Sequence, residues 1–435
     1  MSMTIPAAVS DTTGTDPLFS PLKLRSGLEL PNRVAKAAME ESLAVRGQLP
    51  GRHLECLYRH WAHSGAGMLI TGNVMVDHRA LTAPGTIALE ANTPLDPFWR
   101  WAIVAKMGGA RAIMQINHPG VAVPANLNGL TWAPSEVAID LGKLSGLFRA
   151  PTAMTDQDIR ETISRFAVTA RRAAEAGFDG VQIHAAHGYL LSQFLSPLTN
   201  QRTDEWGGSL EGRARLLTSI VAAVQTAVPA GFAVLVKLNS SDFQKGGFTA
   251  AEAAQVVGLL GSLNVDLVEL SGGTMESPAS LGQRTADKRL STLAREAFFL
   301  EFAEEILATA TMPIMLTGGI ENREVAERVR ARGVAVVGMA TAMAITPDLP
   351  SRWATGPTDP VDLPTVTWGN PVLAAGAQLS LIHRQFRRLS KGGTARSGDS
   401  AVLTFVMDQA RRQVAAVRYR RWRRAQARNA PGPAQ

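Results

Sequence analysis

Eight short apolar runs, each followed by a longer amphipathic stretch, constrain the fold of this chain more than any other feature. They are RVAKAAM (33–39), GMLITGNVMV (67–76), ARAIMQI (110–116), DGVQIHA (179–185), FAVLVKL (232–238), VDLVELS (265–271), MPIMLTG (312–318) and VAVVGMA (334–340). Most are rich in Val, Ile and Leu and too short for helices, as expected of parallel strands covered on both faces. The clearest helical pattern starts at Thr155, with Asp158 three residues on in a capping-box arrangement. Ile159, Ile163, Phe166, Ala167, Ala170 and Ala174 then form one apolar stripe, and Gly177 is placed to end the helix before the next run. The same hand-off recurs at 251–264 into 265 and at 321–333 into 334. Eight strands alternating with helices predict an α/β fold, a (β/α)8 TIM barrel. A doubly wound open sheet is the alternative, but no G-x-G-x-x-G turn follows the first strand.

The flanks divide the chain further. Residues 1–17 read as a disordered lead-in, with no basic start and no long apolar core of a secretory signal. LFSPLKLRSGLELP (18–31) alternates apolar and polar residues around Ser26-Gly27, a short hairpin ahead of the barrel. The barrel is expected over 18–355. Residues 356–435 then form a helical extension, with patterns at 372–390 and 400–427 separated by KGGTARSGDS. The net charge of +7 belongs to this tail: eight arginines and no acidic residue lie between Gln409 and Gln435. Without them, 36 basic residues face 37 acidic ones. Any electrostatic partner argument is therefore confined to the last residues. No apolar run reaches the ~18 residues of a membrane span. A single cysteine, Cys56, excludes an internal disulfide, a Cys-based zinc site and an iron–sulfur cluster, and a cytoplasmic location fits.

Barrel active sites lie at the C-terminal ends of the strands. Of 8 His and 3 Tyr in the chain, His184, His187 and Tyr189 fall together at the end of the fourth run and in the loop beyond it. An H-x-x-H metal site needs further ligands, and no carboxylate or thiol occurs between Gly180 and Asp204, so no metal is expected. The plain alternative is that the histidines bond main-chain groups at a strand end.

The stretch HAAHGYLLSQFLSPLTNQRTDEWGGSLEGRAR resembles the signature of the Old Yellow Enzyme family of FMN-dependent ene reductases. PLKLRSGLELPNRV, MQINHPG, ELSGG, LTGGI and TPDLP are similar to other segments of that family, so the resemblance runs over about residues 18–355. It implies bound FMN, reduced by NADH or NADPH, and an enone or quinone-like small-molecule substrate. His184 and His187 would bind the substrate oxygen, stabilising its developing charge by about 3 kcal/mol per well-placed donor. Tyr189 would protonate the α-carbon after hydride reaches the β-carbon; a phenol is neutral at pH 7 and can serve a strongly basic carbon. Gln115 would hold the pyrimidine edge of the flavin and Lys237 the N1–O2 edge. Ala38 and Met39 on the first strand, Gly318-Gly319 after the seventh and Ala340-Thr341 after the eighth complete the implied cofactor contacts.

Three departures from the family pattern stand out. Ala37-Ala38-Met39-Glu40 replaces the usual Ala-Pro or Ser-Pro followed by a residue and Thr or Cys, which sets a carboxylate near the flavin unless Glu40 turns away. Ala340-Thr341 replaces Gly-Arg, leaving phosphate binding to main-chain amides and the Thr341 hydroxyl. One cysteine excludes the electron relay of the dienoyl-CoA reductase branch. Trp132 and Pro134 fit the family's loop that covers the flavin. Two further readings are carried forward. One is an NADH:flavin or quinone oxidoreductase, or a flavin dehydrogenase, without ene-reductase chemistry. The other makes the basic C-terminal helix a dock for an acidic partner, membrane surface or nucleic acid. A solvated face is the commoner meaning of such a helix, and Val414, Val417, Tyr419 and Trp422 among its arginines also suit packing on the barrel or a second subunit. Homo-oligomer formation is left open.

Overall fold

The structure, a computed structural model, describes residues 16–274, 276, 305–356 and 359–429. Most of the 1–17 lead-in lies outside the described residues. Asp16, at its end, is held in place: it forms an ion pair with Arg323 and accepts from the Phe19 N–H.

Eight parallel strands close on themselves. They are β1 (Val34–Lys36), β2 (Met68–Ile70), β3 (Arg111–Asn117), β4 (Gly180–Ala185), β5 (Ala233–Asn239), β6 (Leu267–Ser271), β7 (Ile314–Thr317) and β8 (Val336–Met339). Each pairs with the next, and β8 pairs with β1, giving the TIM barrel. Around it run α1 (Arg52–Ala62), α2 (Asp96–Lys106), α3 (Asp156–Glu175), α4 (Leu210–Ala227), α5 (Ala250–Ser262) and α6 (Arg323–Ala331). Thr155 and Asp158 cap α3 reciprocally, and Thr249 with Glu252 repeats the device on α5.

Strand alternation sorts the interior into two levels. Ala35, Met68, Ile70, Ile113, Ala233, Leu235, Leu267, Met315 and Val336 pack together as an apolar floor. Leu24 and Leu30 of the N-terminal hairpin, whose strands Leu22–Lys23 and Glu29–Leu30 are antiparallel, close that floor from below. One pleat repeat further along β3, β4, β5 and β6 come Gln115, Gln182, Lys237 and Glu269, all buried. The next residues outward, Val181, Ile183, Val236, Val268 and Leu270, belong instead to the large cluster between barrel and helices.

The extension forms α7 (Pro371–Leu389) and α8 (Ala401–Asn429), which pack on each other. Phe386 of α7 meets Trp61 of α1 edge-on with ring centroids 5.5 Å apart. On α8, Tyr419 is buried, its hydroxyl donating to the His78 carbonyl at 2.7 Å, and Trp422 packs on the His78 ring. Val414 and Val417, half a turn away, are exposed. Among the described residues no helix is long and apolar enough to cross a membrane.

Candidate active site

A cavity of about 350 Å³ opens at the C-terminal end of the barrel. Its barrel side carries Ala38, Met39 and Glu40 after β1, His187 and Tyr189 after β4, Lys237 and Ser271 at the ends of β5 and β6, Thr317 through Gly319 at β7, and Ala340-Thr341 after β8. Of the eleven residues expected to contact cofactor or substrate directly, nine therefore meet on one cavity, while Trp132 and Pro134 of the expected covering loop do not line it. Gln115 and His184 do not line it but connect to residues that do. Gln115 is joined to Lys237 by a hydrogen-bonded chain, and the His184 ring sits edge-on to both His187 and Tyr189, each at 5.0 Å between centroids.

The histidines are neutral. Burial, then His187 and the Lys237 charge, push His184 well below its ordinary value; burial and Lys237 do the same to His187. His184 Nδ1 accepts the Ala186 N–H at 3.2 Å, so its proton sits on Nε2, which is then a donor. His187 Nε2 lies 2.8 Å from Ser271 Oγ. Its main chain adopts φ +61°, a left-handed conformation that non-glycine residues rarely take, and its N–H donates to Asn239 Oδ1 at 3.1 Å. Such strain persists where surrounding contacts enforce it. Tyr189 starts the short helix Leu190–Leu195, and burial followed by the Glu40 charge raises its pKa, keeping the phenol protonated at physiological pH.

Glu40 does turn from the barrel axis. Its Oε1 accepts from Ser42 Oγ at 3.1 Å and Thr86 Oγ1 at 3.0 Å, and its Oε2 from Thr82 Oγ1 at 2.8 Å. It still lines the cavity, close enough for its charge to act on Tyr189. Trp132 does not reach the cavity. It stacks on His118, with centroids 6.1 Å apart and planes 17° apart, under the Arg79 guanidinium.

The residues present suit a flavin mononucleotide. A lysine and a glutamine amide suit the polar edge of its ring, and the apolar Ala38, Met39 and Met339 suit the flat face. At the β7 end, Gly318 and Gly319 have φ of +129° and +70°, a backbone that admits close approach, and the buried Thr317 hydroxyl lacks a partner. Such a backbone suits an anion, and among the described residues no arginine lines the cavity.

Part of the polar signature is structural rather than chemical. Asn200 ties the carbonyls of Phe194 and Trp206, Arg202 pairs with Asp204, and Ser209 caps α4. A possible metal cluster, Asp77, His78 and Glu90, has its ligand atoms within 4.8 Å. Arg79 and Arg165 already pair with its carboxylates, which makes it an ion-pair network.

The opposite wall was not legible beforehand. Gln378, Leu379, Ile382 and Phe386 of α7 line the cavity with Leu363 and Pro364. His383 Nε2 lies 3.1 Å from the Glu40 carbonyl, and Asp408 of α8, held by Arg387 and Arg412, approaches His383 Nδ1 at 3.6 Å. Ser271, Gln182 and Glu269 were also missed, although a lone polar residue inside an apolar strand was a readable signal at Gln182 and Glu269.

Comparison with known proteins places this arrangement. The NADH-dependent flavin oxidoreductase iliE of Hypocrea jecorina is 38% identical over 349 residues, covering 76% of this chain and 87% of that protein. Its namesake in Neonectria sp. is 38% identical over 359 residues, 78% of this chain; there the chain spans about half, 47%, of the relative's length. A solved old yellow enzyme homologue from Zymomonas mobilis superposes with a TM-score of 0.66 at 24% identity, over 78% of this chain and 93% of that one, which establishes the likeness of fold. The family model matches residues 17–359, a span that holds all eight strands and the whole barrel side of the cavity. On that span the chain belongs to the NADH:flavin oxidoreductase / NADH oxidase family, where the resemblance to Old Yellow Enzyme pointed.

Proposed function

We propose that this flavin oxidoreductase reduces activated C=C bonds of α,β-unsaturated carbonyl compounds at the expense of NADH or NADPH. The observation that carries the reading is the convergence of His184, His187 and Tyr189 on the rim above Lys237. FMN, when bound, supplies the hydride that the protein has no group of its own to provide. His184 Nε2–H and His187 hold the substrate oxygen and stabilise the charge that builds there. Tyr189 delivers its phenolic proton to the α-carbon. Gln115 and Lys237 would hold the polar edge of the cofactor. Ala38 and Met39 would bear on its face, and Gly318, Gly319, Ala340 and Thr341 would receive its phosphate. The barrel of 18–355 thus carries the chemistry, and the extension from 356 completes the enclosure.

The test is the visible spectrum of the purified protein, followed anaerobically on adding NADH or NADPH and then an enone. Flavin bands that bleach with the nicotinamide and return with the enone are expected. A colourless protein that leaves FMN fluorescence unquenched on titration ends the reading. A second reading, reduction of quinones or free flavins without ene chemistry, is favoured by Glu40. Its charge makes the Tyr189 phenol a weaker acid. Bands that return with a quinone but not with any enone select it.

A further inference from the structure

The buried chain beneath the cavity has a direction. Glu269 on β6 is fully buried and both its oxygens are engaged: Oε1 accepts from Lys237 Nζ at 2.7 Å, and Oε2 from Gln182 Nε2 at 2.7 Å. Gln182 Oε1 accepts in turn from Gln115 Nε2, again at 2.7 Å. The register enforces the arrangement, since Lys237 pairs across the sheet with Glu269 and Gln182 with Gln115. Amide oxygen and nitrogen ends are interchangeable in most settings, but an ionised carboxylate accepts and never donates. It therefore obliges Gln182 to present its NH2 to Glu269 and its carbonyl to Gln115. Gln115 must then turn its own NH2 toward Gln182, which leaves its carbonyl oxygen as the end available to accept from an N–H. The same carboxylate is the counter-ion of Lys237, so the lysine reaches the cavity with its charge partly offset.

Stability alone does not account for such a pair. A buried ion pair commonly contributes no more than a well-packed apolar one. The chain holds a second one, Lys36 with Glu41 at 3.8 Å, in the shell where Lys36 sits over the Trp61 ring. That pair lines no part of the cavity; Lys237 does.

We propose that Glu269 is a positioning residue for the cofactor, orienting the Gln115 carbonyl through Gln182 and offsetting part of the Lys237 charge. The proposal rests on the flavin reading above. It assigns the cavity a preference for a ligand edge bearing an N–H donor, and a floor whose charge opposes neither oxidation state strongly.

The experiment compares the unaltered chain with Glu269→Gln and Gln182→Leu. Each is titrated with FMN and with N3-methylated FMN by fluorescence quenching, and the midpoint potential of the bound flavin is measured. Glu269→Gln leaves Lys237 uncompensated, so the potential should rise by about 30 mV or more, a tenfold change in the two-electron equilibrium. It also removes the fixed direction of the chain, so discrimination against N3-methyl FMN should fall about tenfold or more. Gln182→Leu cuts the chain but keeps the ion pair: discrimination should fall while the potential stays. Unchanged potential and discrimination in a Glu269→Gln protein that binds flavin overturns the proposal. If Glu269→Gln does not fold, retained discrimination in Gln182→Leu overturns it. Failure of the unaltered chain to bind FMN is a different result, which removes the flavin reading and this proposal with it.

Discussion

Two walls face each other across the cavity, and they are built on opposite principles. The barrel wall gathers titratable groups: His187, Tyr189 and Lys237, with the His184 ring against the first two, while Ser271 and Glu269 of β6 hold His187 and Lys237. The α7 wall presents Leu379, Ile382 and Phe386, and reaches the barrel's first strand through one imidazole on a main-chain carbonyl. Groups whose position must be exact are best carried on rigid elements, and here they sit on a strand, as Lys237 does, or on the turn just beyond one, as His187 and Tyr189 do. Groups that give shape and exclude water can come from a helix added after the barrel is complete. The difference separates loss of chemistry from loss of enclosure.

The sharpest test of that separation is Tyr189→Phe. NAD(P)H should still bleach the protein at near-normal rate, while enone turnover falls by about 10²–10⁴-fold, the scale of a general acid. Quinones, which take no proton at carbon, should be affected far less. Rapid-mixing kinetics of the two half-reactions decide it, and equal losses on both acceptors would return Tyr189 to a packing role.

Phe386→Ala attacks the other wall. This ring is fully buried against Trp61, so its loss should cost about 3–5 kcal/mol in urea unfolding. Turnover on enones and quinones should decline together. A selective loss on enones would erase the contrast between the walls.

Acid should act on the barrel. Burial brings His118 down to about 4, and His184 and His187 also lie well below their ordinary value. From pH 6.5 down to about 4 the unfolded chain binds protons that the folded chain refuses, so stability falls as pH falls. The slope for one such histidine approaches about 1.4 kcal/mol per pH unit. Urea midpoints at pH 7.5, 6 and 5 should decline in step, and His118→Phe should flatten the decline. A pH-independent midpoint would mean that these side chains reach water.

The smallest effect is expected from His383→Ala. Losing the bond to the Glu40 carbonyl should cost about 1 kcal/mol and raise the rate at which flavin dissociates. His383→Asn, which keeps a donor, should restore part of it. Flavin release unchanged in both variants would show that α7 covers the cavity without holding it.

How much of this was legible follows from the range of each interaction. The barrel was readable because strand burial on both faces and helix capping are local: VDLVELS and the Thr155–Asp158 box mean the same wherever they occur. The His184–His187–Tyr189 cluster was readable because it is contiguous and strand ends are where barrels do chemistry. Helices at 372–390 and 400–427 were expected and found as Pro371–Leu389 and Ala401–Asn429. Their destination was not. Tyr419 and Trp422 pack on the barrel while Val414 and Val417 face outward, although all four are apolar or aromatic and close in sequence.

The sequence by itself determined the eight-stranded barrel, the polar rim and the family, because periodicity and contiguous motifs act over a few residues. Tertiary structure alone decided that Glu269 faces Lys237, that Glu40 turns to Thr82 and Thr86, and that α7 returns to close the cavity over β1. Those outcomes depend on strand register and on contacts between residues as far as 343 positions apart, such as His383 and Glu40. Such contacts exist only once the barrel has closed, because closure brings the ends of the first and last strands side by side.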